Sequence, residues 1–332
     1  MTTRQILLTS RPVGDCTLEN FKIQEVTCYL PKAGEVLLKG LYYSVDPYMR
    51  GRMNDAKSYA PPFQVGQPIS GAVVAQVVES KSSKFRPGDL VLGNLPWQEQ
   101  FIAPETSLQK IDAGLAPPSY YLSILGMTGL TAYFGLSDIC RPRAGETLVI
   151  SGAAGAVGIV AGQIAKLNGC HVVGIAGSDE KTGLLKKQFG FDEAINYKTA
   201  KDLPGAIAAA CPRGVDMYFD NVGGEISDAV ISQINFHARI ALCGQIALYN
   251  SRGIPQGPRL QPMLLTRSVL MQGFIIGDYK NRFGEGIRQL SAWVKEGKLT
   301  FTETRIQGFE QLPLAMLGLF QGKNTGKMVV VA

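Results

Sequence analysis

The chain has 332 residues, long for one domain and comfortable for two, and its 45% apolar and 18% charged residues supply side chain for a sizeable core. The net charge of +6 comes from 33 basic and 27 acidic residues with no dense run, which argues against a nucleic-acid-binding protein and leaves room for a smaller, multiply charged ligand. No apolar stretch approaches the ~20 residues a membrane helix needs, and the N-terminal stretch is too short and broken for a secretory leader.

Six cysteines, at 16, 28, 140, 170, 211 and 243, form no CxxC pair, and the histidines are only His171 and His237. That set supplies a structural or catalytic zinc poorly, so no metal site is expected. Reduced, mostly buried thiols in a cytoplasmic protein are the plain reading.

The first third reads as β-rich. Strands are expected over 36–43, 70–79 and 90–93, the last two separated by the turn Arg86-Pro87-Gly88-Asp89. Strands at this spacing without long helices suggest a small barrel-like β domain. The character changes near residue 125. Strands at 147–150, 171–175, 194–197, 215–219 and 239–243 alternate with helical stretches, among them 157–167 and 181–189, the second closed by Gly190. This alternation predicts an α/β fold with a doubly wound parallel sheet. A helix over 309–320 and a strand over 327–331 should rejoin the first domain. The expected organisation is a β-rich domain of residues 1–124 completed by 302–332, with a nucleotide-binding domain of residues 125–301 inserted.

The strongest motif is Ser151-Gly152-Ala153-Ala154-Gly155-Ala156-Val157-Gly158, between an expected strand and an expected helix. Small residues there let the backbone turn tightly and bring a pyrophosphate against the free amides of the helix N-terminus. Ala153 replaces the first glycine of the usual GxGxxG pattern, which is tolerable if its backbone angles are ordinary. The bland alternative is a ligand-free strand–helix corner. After the second strand the chain reads Ala176-Gly177-Ser178-Asp179-Glu180-Lys181, without the acid that grips ribose hydroxyls in an NAD site. Ser178 suits a helix N-cap, with Asp179 and Glu180 on the positive end of the dipole. Lys181 is out of place there unless an anion is near, and a 2′-phosphate would supply it, which favours NADPH.

Several strings, in order along nearly the whole chain, carry a resemblance: residues 44–53 (SVDPYMRGRM), 125–133 (LGMTGLTAY), 153–158, 176–181, 219–224 (FDNVGG), 243–246 (CGQI) and 322–327 (GKNTGK). The chain resembles the zinc-independent medium-chain dehydrogenase/reductases. Within them it is similar to the leukotriene/prostaglandin reductase and plant double-bond reductase branch, which includes bacterial curcumin reductase. The resemblance implies a GroES-like catalytic domain beside a Rossmann NADP-binding domain, and a homodimer joined through an edge strand near 269–276. It implies that Gly155, Ala156, Val157 and Gly158 hold the pyrophosphate of NADPH/NADP+. Ser178 and Lys181 would hold the 2′-phosphate, Tyr197 would lie near the adenosine phosphate, and Asn221 would sit beside the cofactor. Cys243, Gly244 and the residues on to Tyr249, with Phe274, Ile275 and Ile276, would border the nicotinamide, and Asn324 would reach the cofactor from the C-terminal segment. Plain alternatives stand beside these: a strand-end aromatic for Tyr197, a tight turn at Asn221, core packing for Cys243.

The reaction so implied is hydride addition to the β-carbon of a small α,β-unsaturated ketone or aldehyde. A donor must meet the enolate oxygen, and a proton must reach the α-carbon. Tyr249, just past an expected strand end, is the first candidate donor. Tyr48 is the second, and a cofactor ribose hydroxyl can share or replace the role. Arg50 and Arg52 suit either a substrate carboxylate or pairing with acidic neighbours. The competing readings are a quinone reductase of the same superfamily, a non-catalytic NADPH-binding or RNA-associated protein, and a zinc alcohol dehydrogenase.

Overall fold

Alternating apolar residues drive the first sheet together. In a computed structural model describing residues 2–114 and 116–332, the chain begins with β1 (Thr2–Leu8) and β2 (Phe21–Thr27), an antiparallel pair. Then come β3 (Glu35–Ser44), the short helix α1 (Tyr48–Arg52), β4 (Ser70–Ser80), β5 (Leu90–Pro96), β6 (Gln100–Pro104) and β7 (Gln109–Lys110). β3 pairs antiparallel with β4 and β6, and β4 with β5. Ile6, Leu8, Val36, Leu38, Val73, Val91 and Trp97 all turn inward into one core.

The second group of elements alternates strand and helix. After α2 (Met127–Phe134) come β8 (Thr147–Ser151), α3 (Ala156–Leu167), β9 (His171–Ala176), α4 (Asp179–Phe189), β10 (Glu193–Asn196), α5 (Leu203–Ala210) and β11 (Val215–Asp220). They are followed by α6 (Gly224–Ile231), β12 (Ile234–Leu242), α7 (Gln261–Thr266), β13 (Leu270–Gly273) and α8 (Phe283–Lys295). The strands form a six-stranded sheet in the order β10-β9-β8-β11-β12-β13, parallel throughout. β8 is buried at every position, as a strand covered by helices on both faces must be. The order reverses between β8 and β11, and in such sheets ligands bind beyond the strands' carboxyl ends at that reversal.

Last come β14 (Glu303–Gln307), α9 (Leu312–Phe320) and β15 (Lys327–Val331). β15 pairs antiparallel with β3, and Leu312, Ala315 and Met316 of α9 join the core of the first sheet. The chain thus forms two compact units: residues Met1–Ser123, Glu303–Asn324 and Met328–Ala332 in one, Ile124–Thr302 and Thr325–Lys327 in the other.

Two elements differ from the sequence reading. β12 starts five residues before the expected Arg239, because Phe236 and His237 are exposed and His237 has φ +59, a bulge that breaks the apolar pattern. The edge strand β13 ends at Gly273, so Phe274, Ile275 and Ile276 lie beyond it.

Candidate functional site

The glycine-rich loop is built from β8 to α3. The left-handed residue is Gly152, φ +59, so Ala153 keeps an ordinary backbone and its methyl is fully buried. Gly155 is the N-cap of α3 with no side-chain cap, and the first amides of the helix (Ala156, Val157, Gly158) have no acceptor within it. A Cβ on Gly158 would lie 2.6 Å from the Cα and carbonyl oxygen of Ala153, so only glycine lets the helix close on the loop. Gly326 donates to the Ala154 carbonyl at 2.8 Å, tying the loop's far side to the C-terminal segment. Asn324, two residues earlier, falls in the other unit.

A second corner lies where β9 runs into α4. Ser178 is the N-cap, and its hydroxyl accepts the Lys181 amide at 3.3 Å, which leaves the hydroxyl proton to donate outward. The Asp179 carboxylate accepts from the Asn196 amide at 2.7 Å. A Cβ on Gly177 would meet Tyr197 Cε1 at 3.1 Å, the Tyr197 hydroxyl at 3.3 Å and Lys198 Cε at 3.4 Å, so the end of β10 closes over the end of β9. Burial, and next the nearby Lys198, push the Lys181 ammonium below the usual lysine range. Lys198 was not singled out in the sequence; it lies 17 positions from Lys181, and only strand pairing brings the two together.

At the reversal point, the buried carboxylate of Asp220 organises four chain segments. Its Oδ1 accepts from Ser151 Oγ at 2.9 Å, the Tyr218 hydroxyl at 2.8 Å, and the amides of Val222 and Gly223 at 3.0 and 2.9 Å. Its Oδ2 accepts from Ser227 Oγ at 2.9 Å and Gln245 Nε2 at 3.0 Å. Ser151 Oγ in turn accepts the Asn221 amide, and Asn221 Nδ2 donates to the Ser151 carbonyl at 2.8 Å. The chain turns tightly at Asn221-Val222-Gly223-Gly224, with Gly223 at φ +74, and the side-chain nitrogen of Asn221 helps to hold that turn. Asp220 and Gln245 had no local sequence signature beyond the string around them.

Past β12, Cys243 and Gly244 donate their amides to the Asp220 carbonyl at 2.9 and 3.0 Å. Burial pushes the Cys243 thiol up to about 12, which favours the protonated thiol. The chain then turns back through Ile246–Leu248, and the Tyr249 hydroxyl accepts the Gln245 amide at 3.2 Å. Burial holds that hydroxyl above the usual phenol range, against the opposing Gln245 amide. It is therefore a protonated group with one oxygen lone pair engaged and its hydrogen available.

Phe274 is a core residue: its ring packs edge-on against Phe219 and Tyr279 at 6.3 Å each. Ile275 is exposed and Ile276 half-buried. In the other unit, Tyr48 opens α1, and burial foremost, then Asp46, raises its hydroxyl above the usual range. Arg50 and Arg52 bond carbonyl oxygens rather than acids: Arg50 holds those of Pro12 and Gly14 at 3.2 and 2.7 Å, and Arg52 holds Pro61 at 2.9 Å while lying 4.1 Å over the Phe63 ring. Among the described residues no three His, Cys, Asp or Glu side chains gather where they could hold a metal.

Two family models match. Residues 4–111 fit the N-terminal domain of oxidoreductase, and residues 156–292 fit a family described as zinc-binding dehydrogenase. YfmJ of Bacillus subtilis is 56% identical over 329 residues, covering 98% of this chain and 97% of its own. The NADPH-dependent curcumin reductase of Escherichia coli is 44% identical, covering 98% and 96%. The NADP(+)-dependent 2-alkenal reductase of Nicotiana tabacum is 43% identical, covering 100% and 98%. The crystal structure of CurA from Vibrio vulnificus in complex with NADPH superposes with a TM-score of 0.95 at 45% identity, covering 99% of each chain. The chain belongs to the medium-chain dehydrogenase/reductase family, in the branch of the curcumin, 2-alkenal and prostaglandin reductases.

Proposed function

We propose that this protein is an NADPH-dependent reductase of the carbon–carbon double bond in α,β-unsaturated aldehydes and ketones. The observation that carries the reading is the Tyr249 hydroxyl, held protonated beside the sheet's reversal point with its oxygen accepting the Gln245 amide. The residues fit the cofactor: a loop that excludes a Cβ at Gly158 and offers free helix amides to a pyrophosphate, and a corner with Ser178, Lys181 and Tyr197 for the 2′-phosphate end. Bound there, NADPH supplies the hydride that adds to the substrate's β-carbon. As charge gathers on the carbonyl oxygen, Tyr249 donates a hydrogen bond to it, and burial strengthens that bond. Asn221 and the Gly244 backbone, fixed by Ser151 and Asp220, border the reacting end.

The proposal needs no zinc, because a neutral hydroxyl supports the enolate. All six cysteines are free, which suits a reducing, cytoplasmic setting. β13 lies at the sheet's edge with Leu270 and Gln272 exposed, which supports pairing with a second copy of the chain.

The test is NADPH oxidation with a panel of enals, enones and simple quinones, and NADH as control. Turnover of enals and enones with NADPH, far above that of quinones, is the expected result. Preference for quinones would replace the reading with a quinone reductase. NADPH binding without any turnover would make the chain a non-catalytic binder.

A further inference from the structure

We propose that Lys198 is a second ligand of the 2′-phosphate, so that preference for NADPH over NADH is set by a pair of lysines rather than by Lys181 alone. The inference rests on the NADPH reading above and deepens it.

Lys198 lies two residues past β10, and its side chain runs over Gly177, the residue at the end of β9 where an NAD-binding chain places its ribose-gripping acid. The absence of a Cβ at Gly177 makes room for it: a methyl there would stand 3.4 Å from Lys198 Cε and 3.1 Å from the Tyr197 ring. The backbone is held in this course, since Lys198 donates its amide to Asn196 Oδ1 at 3.1 Å, and Asn196 Nδ2 reaches Asp179 at 2.7 Å. The same asparagine thus holds Asp179 and directs the lysine across the corner.

Lys198 is exposed. It is near enough to Lys181 to lower that group's proton affinity. Two like charges converging on one corner repel, and a like pair is disfavoured unless an anion sits between them. A phosphate monoester carries about −1.5 to −2 at neutral pH, more than one lysine balances and close to what two supply. The adenosine ribose of NADH brings no such charge, so the pair favours one nucleotide over the other by electrostatics alone.

The probe is 2′,5′-ADP, with 5′-AMP as the ligand lacking the phosphate in question, titrated calorimetrically into the full chain. Lys198→Ala should weaken 2′,5′-ADP about ten-fold, the loss of one charge-assisted contact, while 5′-AMP affinity stays put and Lys198→Arg restores most of the loss. Because Lys198 is exposed, the variant should fold as the parent does, and a far-ultraviolet melt checks this. If Lys181→Ala loses 2′,5′-ADP and Lys198→Ala does not, the lysine pair is wrong and the NADPH reading survives. If the unaltered chain binds 2′,5′-ADP no better than 5′-AMP, the NADPH reading itself is overturned, and the pair with it.

Discussion

The phenolic oxygen of Tyr249 accepts a hydrogen bond from the backbone amide of Gln245 at 3.2 Å, so the loop after β12 folds back to fix the one side chain whose proton the proposed chemistry needs. A tyrosine so placed donates rather than accepts toward a ligand. Tyr249→Phe keeps the ring and removes only the donor. Turnover of an enal should fall about 10- to 100-fold, at or below the usual loss for one donor to a developing oxyanion. NADPH affinity, read by quenching of protein fluorescence, should change little. Unchanged turnover would move the donor role to Tyr48, a ribose hydroxyl or water.

Asp220 and Gln245 should behave unequally. Asp220→Asn keeps one oxygen for the four donors on its Oδ1 side but turns an NH2 toward Gln245 Nε2, leaving two donors opposed, while the Ser227 hydroxyl can rotate to accept. A cost of about 2–4 kcal/mol is expected, in the range for breaking a buried charged network. Gln245→Ala removes one hydrogen bond to the carboxylate and one to the Gly244 carbonyl and should cost about 1.5 kcal/mol, the low end for a bond to a charged group. It should still slow turnover, because the Gln245 amide that orients Tyr249 loses its anchor. Urea unfolding and enal kinetics on the two variants check this; equal small costs would show that the carboxylate is not organising the loop.

What could be read from the sequence was local. The loop from Ser151 to Gly158 declares itself within eight positions, because tight turning and helix entry are set by neighbours in the chain. Ser178 is legible as a cap for the same reason. Lys198 and the partners of Asp220 are not, since they depend on which strand lies beside which: β10 beside β9 carries Lys198 to Gly177, and β8 beside β11 carries Ser151 to Asp220. Periodicity placed strands β8, β9 and β11 closely but missed the start of β12, where exposed Phe236 and the left-handed His237 interrupt the apolar run. Phe274, expected beside the nicotinamide, keeps its ring in the packing around Phe219, on another strand, and Tyr279.

Gly158→Ala sets two effects against each other. In an exposed helix the change gains about 1 kcal/mol of propensity. Here the methyl would lie 2.6 Å from Ala153 backbone atoms and 2.7 Å from the Gly152 carbonyl oxygen, contacts that cannot yield without moving the loop. Overpacking of this kind costs about 1–3 kcal/mol, so net destabilisation is expected, with a lower melting temperature. NADPH and NADH should weaken together, since the displaced loop would serve the pyrophosphate common to both. A variant as stable as the parent would mean that the loop gives way easily and is no rigid cradle.

The pH dependence of cofactor choice should follow Lys181. Burial first, and the charge of Lys198 next, lower its proton affinity, while Glu180 opposes them; Asp179 is engaged with Asn196. A 2′-phosphate binds the protonated ammonium, so affinity for NADPH is full below the free protein's Lys181 value and declines as pH rises through it. Because that value is depressed, the decline should begin at lower pH than an ordinary lysine allows, and kcat/KM for NADPH should fall toward that for NADH in the alkaline range. The ratio of the two cancels any ionisation of substrate or Tyr249. Replacing Lys198 by alanine removes the like charge, so Lys181 should keep its proton longer and the break in the ratio should move to higher pH, even as NADPH binds more weakly. A ratio flat across the alkaline range in the parent would mean that no titrating lysine distinguishes the two nucleotides.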